Sequence, residues 1–167
     1  MLVFLNGFMG SGKTHWGKIW ATTYRLGFID LDEDIEIDEQ KKVTEIFEQK
    51  GEAYFRQLET AKLQSYGTLT NTIIACGGGT PCFADNMQWM NAHGTTVYLT
   101  SNPSEILRRL IKAQQNRPLI NDLNQAELLF FIQQKLKERQ PFYTQAQISI
   151  PTNELTEEIF VEKIITL

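Results

Sequence analysis

Cysteine is scarce: Cys76 and Cys82 are the only two in 167 residues. Two thiols make no disulfide framework and no zinc-ligand spacing, and they suit a reducing compartment such as the cytosol. Histidine is as rare. His15 and His93 stand near a helix start and a helix end, with no partner visible in sequence, and neither is given a role. No apolar run approaches the roughly 18 residues of a membrane helix. The apolar start from Met1 to Leu5 is too short for a signal peptide. A basic excess is missing too: sixteen Lys and Arg against twenty Asp and Glu give a formal charge of −4. Composition therefore predicts no nucleic-acid footprint. Repeats, low-complexity tracts and linkers are absent. What remains is a chain long enough for one domain (1–167) with a sizeable core, expected to be a cytoplasmic monomer.

What the chain does contain is Gly7-Phe8-Met9-Gly10-Ser11-Gly12-Lys13-Thr14. Ahead of it, Leu2-Val3-Phe4-Leu5 reads as a buried strand. Behind it, His15 to Arg25 carries Trp16, Ile19, Trp20 and Thr23 at helical spacing. Strand, glycine loop, Lys-Thr and helix form the context that makes G-x-x-x-x-G-K-[ST] a phosphate-binding P-loop rather than a chance turn. Glycines let successive backbone N–H groups converge on one anion, and the helix N-terminus adds partial positive charge. Lys13 is expected to reach the β- and γ-phosphates of a nucleotide, and the Thr14 hydroxyl to ligate Mg²⁺.

Downstream, a short second strand around Phe28-Ile29 runs into Asp30-Leu31-Asp32-Glu33-Asp34. Ligands of open α/β sheets bind beyond the carboxyl ends of strands, so Asp30 and Asp32 are placed to work on a metal or a hydroxyl. The plain alternative is an acidic first turn of the next helix, which suits Asp34 and Glu36. Lys42 to Lys50 and Glu52 to Tyr66 read as two helices separated by Gly51. Arg56 and Glu59, both in the latter helix, have the i, i+3 spacing of an ordinary ion pair. The strand Asn71–Cys76 ends in Gly77-Gly78-Gly79, which implies a close approach of something to the backbone. A helix over 85–92, a strand over 95–99 and a helix over 104–112 follow. A polar stretch at about 113–123 carries Arg117-Pro118-Leu119 and reads as a lid. A helix over 125–140, a strand over 148–150 and a closing helix over 156–166 complete the chain. Five strands alternating with helices predict a three-layer α/β/α fold on a parallel sheet.

The combination resembles one family. Asp30-x-Asp32, Ile46-Phe47-x-x-x-Gly51-Glu52-x-x-Phe55-Arg56-x-x-Glu59, Gly77-Gly78-Gly79, Arg117-Pro118-Leu119 and Glu138-Arg139-x-x-x-Tyr143 stand in the order and spacing of shikimate kinases. These belong to the nucleoside-monophosphate-kinase-like P-loop group, and the match spans essentially the whole chain. The resemblance implies ATP-dependent phosphorylation of the 3-hydroxyl of shikimate, with Mg²⁺. It gives Gly10, Ser11, Gly12, Lys13 and Thr14 to ATP, Thr14 and Asp30 (through water) to the metal, and Asp32 to the reacting hydroxyl. Arg56 and Arg139 would pair with the shikimate carboxylate. Gly78 and Gly79 would offer backbone contacts, Phe47 and Phe55 would line the ring pocket, and Arg117 would meet the γ-phosphate. The substrate-binding segment would be about 31–60. Asn6, Thr80-Pro81 and the Arg109 to Arg117 spacing depart from the commonest family pattern, which leaves the adenine-facing arginine unassigned. Thr152-Asn153 is placed for the other side of the adenine. The rival readings are a gluconate- or nucleotide-type kinase and a nucleotide-binding module without catalysis.

Overall fold

The computed structural model describes residues 1–113 and 124–165. Among them β1 (Leu2–Asn6), β2 (Gly27–Asp30), β3 (Thr72–Ala75), β4 (Thr95–Thr100) and β5 (Ile148–Pro151) form one sheet in the order β2-β3-β1-β4-β5. Every pairing is parallel. All five residues of β1 are buried, as expected for a central parallel strand covered on both faces.

Alternation along β1 sorts the core into two layers. Val3 and Leu5 pack with Ile73, Val97, Leu99 and Trp20 of α1 (Lys13–Tyr24), with Phe160 of the C-terminal segment beside them. Leu2 and Phe4 face the opposite way, onto Leu31 of α2 (Leu31–Glu39), Phe55 and Leu63 of α3 (Val43–Ser65), and Met90 of α4 (Asn86–His93). This is the three-layer α/β/α arrangement. A third cluster joins Phe8 to Ile106 and Leu110 of α5 (Pro103–Ala113) and to Leu128 and Ile132 of α6 (Gln125–Tyr143). The P-loop is thereby fastened to α5 and α6.

The two helices expected on either side of Gly51 are the arms of α3. They meet at Gly51, whose φ of 80° and ψ of 170° break the helix. The α6 helix outruns its expected end at Gln140 and passes through Pro141 to Tyr143. Pro141 deletes one hydrogen bond in the last turn, but tertiary anchoring holds that turn in place. Tyr143 is fully buried, its ring 4.9 Å from that of Tyr98. The closing helix expected over 156–166 begins later, at Ile159, and runs into a π-helical turn over Val161–Ile165. No described helix is long and apolar enough to cross a membrane.

Candidate active site

Because β1 is flanked by β3 and β4, the loops leaving their carboxyl ends enclose one crevice at the point where strand order reverses. The loop after β1 tightens through a Ser11 N–H bond to the Phe8 carbonyl at 3.1 Å, with Gly10 and Gly12 at positive φ. Lys13 opens α1 and folds back, its Nζ donating to the carbonyls of Gly7 (2.8 Å) and Phe8 (3.0 Å). Burial pulls the Lys13 ammonium down to about 8, opposed by the nearby charges of Asp32 and Asp30. Its neighbour Thr14 donates from Oγ1 to Asp30 Oδ2 at 2.6 Å. Asp30 Oδ1 accepts the N–H groups of Asp32 (3.2 Å) and Glu33 (3.3 Å). Asp30 therefore caps α2 and also faces the P-loop, so the helix-start reading and the site reading are both true of it.

A cavity of about 550 Å³ runs from this loop past Asp32 to Gly77 and Gly78. Loss of hydration raises the Asp32 carboxyl to about 6, reinforced by Glu59 and Asp30 and opposed by Lys13 and Arg56. The three glycines mark where functional groups crowd the backbone. A Cβ on Gly77 would lie 2.8 Å from Glu59 Oε1 and 2.9 Å from Asp32 Oδ1. One on Gly78 would lie 3.2 Å from Arg139 Nη1, and one on Gly79 only 2.5 Å from Arg56 Nη2. Two guanidinium groups from distant helices, α3 and α6, thus converge on one loop. Tyr143 Oη donates to the Gly78 carbonyl at 2.5 Å and holds the loop from behind. Arg139 also lies over Phe8, 5.5 Å from the ring centre. Phe47 and Phe55 meet at 4.7 Å, with the Arg56 guanidinium 5.8 and 5.3 Å from their ring centres.

Sequence reasoning paired Glu59 with Arg56, as the structure shows, but gave it no place in the site. It is fully buried, with Oε2 2.7 Å from Arg56 Nη1 and Oε1 accepting from Thr80 Oγ1 at 2.5 Å. The signal was present: Phe55, Glu59 and Leu63 stand four apart, which places Glu59 on the buried stripe of α3. Phe83 was missed. Its ring lies 4.4 Å from the Arg56 guanidinium, and no periodicity announces it.

At the other end of the cleft, Arg109 Nη1 donates to the Gly10 carbonyl at 3.1 Å, and its Nη2 pairs with Glu105. Glu105 also accepts from Thr152 Oγ1 at 3.2 Å. A second cavity of about 600 Å³ opens here between Ser101, Glu105, Arg108, Pro151 and Asn153. Asn153 lines it, whereas Thr152 supports it from behind. Arg117 and the lid expected at about 113–123 lie outside the described residues, Ala113 apart.

Among the described residues no cluster of three or more His, Cys, Asp or Glu could cage a metal. The Thr14 hydroxyl and Asp30 carboxylate do fit Mg²⁺, which is held by hard oxygens, typically one or two carboxylates together with substrate phosphates.

A family model described as shikimate kinase matches residues 9–167. The shikimate kinase of Bacteroides thetaiotaomicron is 45% identical over 160 residues, covering 96% of this chain and 91% of that protein. A crystal structure of shikimate kinase from the same organism superimposes with a TM-score of 0.90 at 44% identity, over 97% of this chain and 92% of that one. Shikimate kinase from Acinetobacter baumannii, solved in complex with shikimate, gives 0.84 at 32% identity, over 99% and 90%. The chain belongs to the shikimate kinase family.

Proposed function

We infer that the chain transfers the γ-phosphoryl group of ATP to the 3-hydroxyl of shikimate, releasing ADP and shikimate 3-phosphate. One observation carries the reading: Arg56 and Arg139 meet at the glycine loop beside Asp32, in a cleft whose other end is the P-loop. Two guanidinium forks suit one small carboxylate. Asp32 accepts the proton of the attacking hydroxyl as its oxygen bonds to phosphorus, while the bond from phosphorus to the β,γ-bridging oxygen breaks toward ADP. Lys13 swings from its carbonyl partners onto the phosphates, and the backbone amides of Gly10, Ser11 and Gly12 hold them. Catalysis is thus positioning and charge neutralisation. Mg²⁺, held by Thr14 and by Asp30 through water, would neutralise phosphate charge. The adenine would lie between the Arg108 and Arg109 side and Pro151 to Asn153. On its Arg-Pro-Leu motif alone, Arg117 is given to the γ-phosphate, within a lid at about 113–123 of a single kinase domain. The same reading makes the protein a cytoplasmic monomer in aromatic biosynthesis.

Replacing Arg56 or Arg139 by Lys keeps charge and loses the fork. A charge-assisted hydrogen bond contributes about 1.5–3 kcal/mol, so shikimate affinity should fall roughly ten- to a hundred-fold. ATP affinity, titrated alone, should hold. Loss of ATP affinity with shikimate binding intact would refute the assignment.

A further inference from the structure

We propose that Thr80 is a positioning residue for the carboxylate clamp, acting on Arg56 through Glu59. The inference rests on the shikimate reading above. Glu59 is fully buried, and a buried carboxylate must have both oxygens supplied with donors. Arg56 Nη1 serves Oε2 at 2.7 Å and the Thr80 hydroxyl serves Oε1 at 2.5 Å. Because Thr80 fills the second oxygen, Glu59 claims only one N–H of Arg56. The remaining edge, Nε and Nη2, is shared at 3.3 and 3.2 Å with Glu52, an exposed side chain that a bound carboxylate can displace. Without that hydroxyl Oε1 loses its donor, and the guanidinium already bonded to Oε2 would be drawn into a bidentate pair with Glu59.

Thr80 is itself held in place. Its N–H bonds to the Gly77 carbonyl at 3.1 Å, and Asn86 Nδ2 joins the Thr80 carbonyl to Thr60 Oγ1, both at 3.0 Å. Gly77 leaves the room, since a Cβ there would stand 3.0 Å from Thr80 Oγ1.

The test compares Thr80→Val, which keeps the shape, with Thr80→Ser, which keeps the hydroxyl. Both are assayed on shikimate and on an analogue whose carboxylate is replaced by hydroxymethyl. Thr80→Val should raise the KM for shikimate about tenfold, with kcat within about twofold and KM for ATP unmoved. Thr80→Ser should restore the KM, and the penalty should vanish on the carboxylate-free analogue. If Thr80→Val is insoluble, Thr80→Ala reads the same contrast. An unchanged KM, an equal penalty on the analogue, or a parallel loss of kcat and melting temperature would overturn the proposal. A wild-type protein inactive on shikimate would overturn the functional reading itself, and this inference with it.

Discussion

Asp30 and Asp32 stand one residue apart yet meet different surroundings. Asp30 spends its oxygens on the Thr14 hydroxyl and the first N–H groups of α2. Asp32 stands against Glu59 and Lys13 with its carboxyl raised to about 6. Asp30→Asn keeps a capping oxygen, so stability should hold while the Mg²⁺ requirement rises, and added Mg²⁺ should recover part of the rate. Asp32→Asn removes the proton acceptor; turnover should fall by about 10²–10⁴, with ATP binding intact and no Mg²⁺ rescue. Near-normal turnover of Asp32→Asn would mean that the acceptor lies elsewhere. The elevated Asp32 value also carries a stability consequence. A carboxyl that binds its proton more tightly when folded favours the native state as pH falls through about 6, and its charged form opposes folding above that. Asp32→Asn should therefore stabilise the fold at pH 7–8, by up to about 2 kcal/mol, a gain that denaturant titration should see fade toward pH 4. In the active protein, kcat/KM should climb through about 6 as Asp32 ionises and decline above about 8 as the unliganded Lys13 loses its proton.

At the scale of elements, the glycine loop after β3 is where α3 and α6 deliver their arginines, and the spacing is set by what a methyl group would strike. Gly79→Ala places its Cβ against the end of the flexible Arg56 side chain, 2.5 Å from Nη2 and 2.8 Å from Cζ. The fold should survive, because a long side chain can move aside, while the clamp is lost. We expect a melting temperature within a few degrees of wild type and a KM for shikimate raised more than tenfold, read by calorimetry and steady-state kinetics. A large drop in melting temperature with an unchanged KM would show that the loop serves packing instead. Much of this was legible in the chain. The P-loop, β1 and α1 declare themselves by glycine spacing and apolar period, and Gly51 marks the break in α3. Local pattern failed where tertiary contacts decided. Pro141 argued for an end to α6 that the buried Tyr143 overrides. Spacing alone made Arg56 and Glu59 no more than an ordinary i, i+3 ion pair, because it does not show that Thr80 and Gly77 close over them.

For the whole molecule, the order β2-β3-β1-β4-β5 gathers the carboxyl ends of β1, β2 and β3 beside the P-loop, so two cavities share one edge of the sheet. Strand count and parallel direction followed from the alternation of strands and helices. The order across the sheet did not, because it depends on crossovers that no local pattern encodes. The fold alone does not choose an acceptor, since sugar, nucleotide and shikimate kinases share such frameworks. The acceptor is argued from the two guanidinium groups at the glycine loop. The most direct test is an ADP-release assay of the wild-type protein with Mg²⁺ and ATP, run in parallel with shikimate, gluconate and nucleoside monophosphates. The account predicts saturable ADP release with shikimate and only background release with the others. Turnover on a nucleoside monophosphate or gluconate without turnover on shikimate, or ATP hydrolysis indifferent to the acceptor, would contradict it.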